Sequence, residues 1–354
     1  MQRDGNDNAV PLCFWSRQKP IQGVLLNVPL ARNSLYRGSP MPLHPSQTAF
    51  LFPGQGSQAV GMGKALAEAY PEARETFAEA DDILGFPLSR IMWEGPAEEL
   101  NDTRNTQPAL VVHSIAALRV LQSHLPDFQP AFMAGHSLGE LSALIAAGSM
   151  PFPEGLRLTR ARGEAMHAAG GGQGGMAAIL GMDIPTLEAI CQEASTADER
   201  VEIANDNCPG QVVISGHKNA LARAMALAQE QGARRVVPLV VSVAAHSYLM
   251  APAQDAFNRA LEATPIQAPR VPVIGNIHAQ PLRTADDVRA DLHAQLTHRV
   301  RWTESVGYML AQGVTTFVEV GTGSVLIGLV KRIDRKTTRL TCGTPEDIAT
   351  LTSA

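Results

Sequence analysis

Ser137 lies in the stretch Gly135-His136-Ser137-Leu138-Gly139, a G-x-S-x-G pattern. A serine so flanked can accept an acyl group if the chain enters on a strand and leaves on a helix. Both flanks have that character. Residues 130–134 form a short apolar run suited to a buried strand. Residues 138–147 carry Leu138, Leu141, Leu144 and Ile145 at helical spacing, with Gly148 as a stop. The turn between them would lift the Ser137 hydroxyl out of a sheet, and the helix N-terminus would add positive potential beside it. The competing reading is a serine in a helix-capping turn; the strand–turn–helix context favours the nucleophile.

A free serine hydroxyl is a weak nucleophile at neutral pH and needs a base within hydrogen-bond reach. The chain has ten histidines. His136 neighbours Ser137 on the bend, so its ring is expected to point away from the hydroxyl. His246 follows Val243-Ala244-Ala245 at the end of a strand candidate, where the chain returns from an inserted segment. Catalytic partners gather at strand ends facing one cleft in open α/β sheets. Pattern alone makes His246 the favoured base, with a structural histidine as the alternative.

The 354 residues are 45% hydrophobic and 18% charged, an ordinary globular composition with length for a large core and a smaller unit. A net charge of −5 argues against a nucleic-acid binder. Cys13, Cys191, Cys208 and Cys342 have neither paired nor metal-ligand spacing, which favours a reducing compartment and gives no structural zinc site. No apolar run reaches the ~18 residues of a membrane span. Residues 1–46 differ from the rest, with Arg3, Arg17, Lys19, Arg32 and Arg37 against Asp4 and Asp7. Their composition favours a disordered extension, with an organellar transit peptide as the rival.

The elements that must position the site follow from periodicity. A strand is expected at 48–52, running into the glycine-rich loop Pro53-Gly54-Gln55-Gly56-Ser57-Gln58. That loop lacks the spacing of a phosphate-binding loop; taken alone it reads as a plain strand–helix connector, the alternative being a loop that offers backbone N–H groups at a sheet edge. Helices are expected at 62–84, 109–125 and 153–169. Gly170-Gly171-Gly172-Gln173-Gly174-Gly175 reads as a hinge. Residues 173–243 then read as strand, helix, two strands, helix and strand, the split βαβ order of ferredoxin-like folds. After His246 come a helix to about 263, a strand at 271–276, helices at 286–296 and 303–311, a strand at 316–320 and a last helix at 325–333. The fold class is therefore α/β: a mostly parallel, hydrolase-like sheet with helices on both faces, formed by 47–172 and 244–354, with the small unit inserted.

Further pieces bear a family resemblance. They are Phe52-Pro53-Gly54-Gln55-Gly56-Ser57-Gln58, Gly135-His136-Ser137-Leu138-Gly139-Glu140, Arg162-Gly163 with Met166, Asn205-Asp206-Asn207-Cys208-Pro209-Gly210-Gln211, Val241-Ser242-Val243 with His246, Gln295-Leu296 before Val300-Arg301-Trp302, and Glu319-Val320-Gly321 with Gly328-Leu329-Val330-Lys331-Arg332. In this order, over about 48–333, the chain resembles the malonyl-CoA:acyl carrier protein transacylases of bacterial fatty-acid synthesis. The resemblance implies a ping-pong transfer of malonyl from malonyl-CoA to the phosphopantetheine thiol of acyl carrier protein. Ser137 would carry the acyl group and His246 would act as base and acid. The N–H groups of Gln55 and Leu138 would form the oxyanion hole. Arg162 would read the malonyl carboxylate, because guanidinium grips a carboxylate through two hydrogen bonds; without the resemblance it reads as a surface helix arginine like Arg157 and Arg160. Gln295 would help orient His246, and His136 and Asn207 would shape the pocket. No metal or redox cofactor is implied, and the location would be cytoplasmic. Two departures stand out: Ala244-Ala245 where the bacterial enzymes often have Pro-Ser, and Gly321-Thr322-Gly323 rather than Gly-Pro-Gly.

Three rivals remain at this point: a serine esterase or thioesterase, an acyltransferase of a polyketide or malonate-decarboxylase system, and a non-catalytic scaffold for carrier protein. An acidic carrier protein calls for a basic surface, for which Lys331, Arg332, Arg335 and Lys336 are candidates, a solvated helix face being the alternative.

Overall fold

The computed structural model describes residues 43–241 and 243–353. The readings of the extension before Leu43, and Ser242, lie outside the described residues. Among these residues the strands are, in chain order, β1 Thr48–Phe52, β2 Phe132–Gly135, β3 Gly174–Leu180, β4 Val201–Cys208, β5 Gln211–His217, β6 Arg235–Pro238, β7 Val273–Ile274, β8 Pro281–Leu282, β9 Val300–Arg301, β10 Thr316–Val320 and β11 Thr338–Cys342.

Six of them form the larger sheet, in the order β11-β10-β1-β2-β7-β8. It is parallel throughout except for the β7–β8 pair. Every residue of β1 is buried. Phe50 and Phe52 face one helical layer, with Leu110, Val111, Leu141 and Leu144 in the same cluster. Ala49 and Leu51 face the other, with Val306, Met309, Leu326 and Val330. Period-two alternation with both faces apolar is what a parallel strand between two helix layers requires, and each large side chain so buried contributes about 1.5–3 kcal/mol.

The second sheet has the order β6-β3-β5-β4-β9. β3 to β6, with helices Ile184–Ala194 and Lys218–Glu230, run β-α-β-β-α-β and pair antiparallel. The fifth strand comes from outside that run: Val300–Arg301 pairs parallel with β4. This stitches the small sheet to the larger unit beside the elbow.

Four local differences from the sequence reading have physical causes. The helix expected at 62–84 is two helices, Lys64–Ala69 and Pro71–Leu84, because Tyr70 precedes a proline and is extended (φ −128°, ψ 129°). The helix expected from 109 starts at Thr103, capped by Asp102, and runs through Pro108. Pro108 has no N–H for the Arg104 carbonyl four residues back; the Arg160 guanidinium donates to that carbonyl instead, at 2.9 Å. The glycine run is shorter as a linker than expected, since Gly174 and Gly175 already belong to β3. A strand and helix after 333 were not anticipated: β11 extends the sheet beside β10, and Pro345–Thr352 follows, opened by a Thr344–Asp347 capping box.

Candidate active site

Ser137 sits where β2 ends and helix Gly139–Ala146 begins, in the left-handed region at φ +51°. A non-glycine residue there costs of order 1–3 kcal/mol and persists only if its surroundings impose it. The flanking glycines show how. A Cβ on Gly135 would lie 1.9 Å from the Gly139 backbone, and a Cβ on Gly139 would lie 2.0 Å from the Phe52 carbonyl oxygen. Strand, bend and helix cross too closely for any side chain. Asn276, just beyond β7, pins the bend from beneath. Its Oδ1 accepts the Ser137 N–H at 2.7 Å, and its Nδ2 donates to the Gly135 carbonyl at 2.8 Å.

The Ser137 hydroxyl lies 2.7 Å from His246 Nε2. His246 is also left-handed, at φ +57°, and is buried. Its Nδ1 faces two backbone carbonyls, of Gln295 and His298, each at 3.0 Å. Two acceptors fix the proton on Nδ1 and leave the Nε2 lone pair for the serine proton. Burial, then the charge of Arg162 and the nearness of His136, push the imidazole down to about 3, so it is neutral at working pH.

Arg162, on helix Phe152–Ala169, is only 1% exposed. Its Nε donates to Gln295 Oε1 at 3.0 Å, its Nη1 to Gln107 Oε1 at 2.7 Å, and its Nη2 to the Ser137 hydroxyl at 3.2 Å. Burial brings it down to about 10, which leaves it charged at neutral pH. The structure thus brings a serine hydroxyl, a neutral imidazole and a buried guanidinium together from positions 137, 246 and 162.

The other expected residues are close by. A Cβ on Gly54 would lie 2.4 Å from the His136 carbonyl, so the Gln55 loop rests on the elbow. Thr103 donates to Gln55 Oε1 at 3.0 Å and accepts from Gln107 Nε2 at 2.8 Å, which links that loop to the Arg162 anchor. Among the described residues, no backbone acceptor takes the N–H of Gln55 or Leu138. His136 turns away from the hydroxyl toward Asn207, with Nε2 at 2.8 Å from Asn207 Oδ1, and packs edge-on against Trp302. Asn207 reaches it from β4, which runs to Cys208. Gln295 meets His246 through its backbone carbonyl; its side chain serves Arg162 and the elbow instead, with Nε2 donating to the Ser137 carbonyl at 3.1 Å.

Sequence reasoning assigned no role to Asn276, Gln107 or Glu140. Gln107 and Asn276 lie 55 and 139 residues from the groups they hold, and no spacing rule joins such positions. Glu140 was visible as the acid directly after the glycine-framed serine.

A family model described as the acyl transferase domain matches residues 49–343. The malonyl CoA-acyl carrier protein transacylase of Bacillus subtilis is 46% identical over 304 residues, 86% of this chain and 95% of the relative. That of Escherichia coli O157:H7 is 49% identical over 289 residues, 81% of this chain and 93% of the relative. The crystal structure of the acyl-carrier-protein S-malonyltransferase of Bartonella henselae superposes with a TM-score of 0.82 at 45% identity, covering 85% of this chain and 96% of that one. A malonyl-transacylase in complex with a type II polyketide acyl-carrier protein superposes with a TM-score of 0.83 at 42% identity, covering 86% and 98%. With its serine–histidine pair and buried arginine on this fold, the chain belongs to the acyl transferase family, among the malonyl-CoA:acyl carrier protein transacylases.

Proposed function

We propose that the chain transfers malonyl from malonyl-CoA to the phosphopantetheine thiol of acyl carrier protein through a malonyl-Ser137 ester, supplying fatty-acid synthesis. The observation that carries this reading is the Arg162 guanidinium 3.2 Å from the nucleophile, where an acyl group bearing a distal carboxylate would place its charge.

The reaction divides into two acyl transfers. His246 Nε2 takes the Ser137 proton as Oγ attacks the thioester carbon. The oxyanion forms against the N–H groups of Gln55 and Leu138, a donor type worth about 3 kcal/mol when removed. The imidazolium, held by the carbonyls at 295 and 298, returns its proton to the departing CoA thiolate. The carrier thiol then loses its proton to His246 and attacks the ester, and Ser137 is reprotonated. Charge complementarity favours malonyl over acetyl, because an acetyl group leaves Arg162 buried without its anion. An esterase reading expects a carboxylate on His246 Nδ1; two backbone carbonyls stand there instead.

The reading extends to 173–243 as a small unit and 47–172 with 244–354 as the catalytic unit. Contact between them comes from Asn207 on His136 and from β9 on β4. Lys331, Arg335 and Lys336 are exposed and offer positive charge to an acidic carrier, while Arg332 is engaged with Gln211. A cytoplasmic location is supported by the bacterial relatives. Among the described residues no helix is long and apolar enough to cross a membrane.

The test is intact-mass measurement after malonyl-CoA and again after carrier protein. Wild type should gain one malonyl group that the carrier removes, and Ser137→Ala should gain none. Release of free malonate without carrier would point to the esterase, and no adduct at all would end the proposal.

A further inference from the structure

Glu140 follows the glycine that closes the elbow pattern and is completely buried in the first turn of helix Gly139–Ala146. Its two oxygens take different partners. Oε1 accepts the Asn276 backbone N–H at 3.1 Å, and Oε2 accepts the Gln295 side-chain amide at 2.5 Å. Asn276 holds both sides of the bend through the Ser137 N–H and the Gly135 carbonyl. Gln295 Oε1 receives Arg162, its Nε2 also meets the Ser137 carbonyl, and its backbone carbonyl faces His246.

The side-chain amide of Gln295 has two orientations, and its neighbours choose between them. Arg162 only donates, so it needs the oxygen; the Ser137 carbonyl and Glu140 accept, so they need the nitrogen. We propose that Glu140 is a positioning residue that locks the Gln295 amide in the orientation aiming Arg162 at the substrate carboxylate. This rests on the malonyl-transfer reading above and deepens it. Burial, and then Asp291 beside it, hold the Glu140 carboxyl well above the usual range.

Glu140→Gln is nearly isosteric and puts an amide into this frame. Facing Gln295 with its nitrogen, it opposes donor to donor. If Gln295 flips to relieve that, its own NH2 turns on Arg162 Nε, and the guanidinium loses its aim. Loading of Ser137 is followed as kcat/KM with malonyl-CoA and with acetyl-CoA on the same preparation, so the ratio does not depend on the folded fraction. E140Q should lower malonyl loading ~100-fold, the cost of an ångström-scale misplacement, and acetyl loading no more than ~10-fold, narrowing the ratio roughly tenfold. Gln295→Met removes the amide but keeps the backbone carbonyl behind His246, and should narrow the ratio equally. The double variant should narrow it no further, since both changes cut one connection. A parallel loss for both substrates in E140Q, or additive narrowing in the double variant, overturns the proposal. Should E140Q fail to fold, Glu140→Asp withdraws the acceptor by one methylene; a several-fold narrowing supports the proposal and an unchanged ratio overturns it. Malonyl uptake by wild type is the separate control on the function itself: its absence sinks that reading, and its presence with an unchanged E140Q ratio sinks only this one.

Discussion

Arg162→Ala is the sharpest perturbation of this site, because four of the five wild-type guanidinium donors are already committed. Of its five N–H donors, Nε serves Gln295, Nη1 serves Gln107 and the Met166 sulfur, and one on Nη2 serves Ser137. One Nη2 donor remains to meet a substrate carboxylate, and the bond to Ser137 can be exchanged for a second. Removing the side chain leaves a desolvated carboxylate unpaired in a cleft where the arginine was 1% exposed. Breaking a buried ion pair from one side costs about 3–5 kcal/mol. At 1.4 kcal/mol per tenfold, kcat/KM for malonyl loading should fall by roughly 10² to a few times 10³. Acetyl loading has no carboxylate to lose and should change less than about tenfold. Quenched-flow loading of Ser137 from each CoA ester, read by intact mass, measures both, and thermal unfolding reports the cost of the orphaned Gln107 and Gln295 oxygens. Equal losses for malonyl and acetyl would refute the assignment of Arg162 as carboxylate reader, as would a malonyl loss below tenfold.

Three further outcomes are expected. The histidine base should stay neutral far below its ordinary range, since burial brings it down to about 3; malonyl loading should therefore hold level from pH 8 to about 5, and an acid limb centred at or above pH 6 contradicts this. Gly139→Ala should abolish soluble folded protein, because its Cβ would lie 2.0 Å from the Phe52 carbonyl, whereas Gly328→Ala, with nothing within 4 Å on helix Val325–Ile333, should gain about 0.5–1 kcal/mol in a denaturant titration. Asn276→Leu strands the Ser137 N–H and the Gly135 carbonyl, each costing about 1–3 kcal/mol when buried and unpaired; both thermal stability and loading rate should fall, and wild-type values for either would show that the elbow holds itself.

The pieces legible in the sequence are those whose causes are local. The glycines at 135 and 139 announce a crossing too tight for side chains, and the apolar run before them and the helical spacing after them supply its two arms. Helix Val325–Ile333 and strand Thr316–Val320 appear where periodicity puts them, because burial of one stripe or of both faces leaves its mark within a few residues. The misplaced boundaries come from tertiary substitutes for local rules. Pro108 sits inside a helix because a distant arginine satisfies the carbonyl it leaves open. β11 is short, mostly half-buried and at the sheet edge, so its pattern is weak until β10 is there to pair with it.

The division at the site is the same. Chain order alone identifies a serine able to attack and favours His246 beside it, and the resemblance supplies the arginine. Only folding decides what each of them does. Two carbonyls from a loop near 295–298 choose the imidazole tautomer, Asn276 holds the serine in a conformation it would not otherwise adopt, and Gln107 with Gln295 turns a buried cation toward the hydroxyl. These are hydrogen bonds between residues 49 to 139 positions apart. Their geometry depends on how sheet, helix and loop pack together, and no stretch of sequence contains that information by itself.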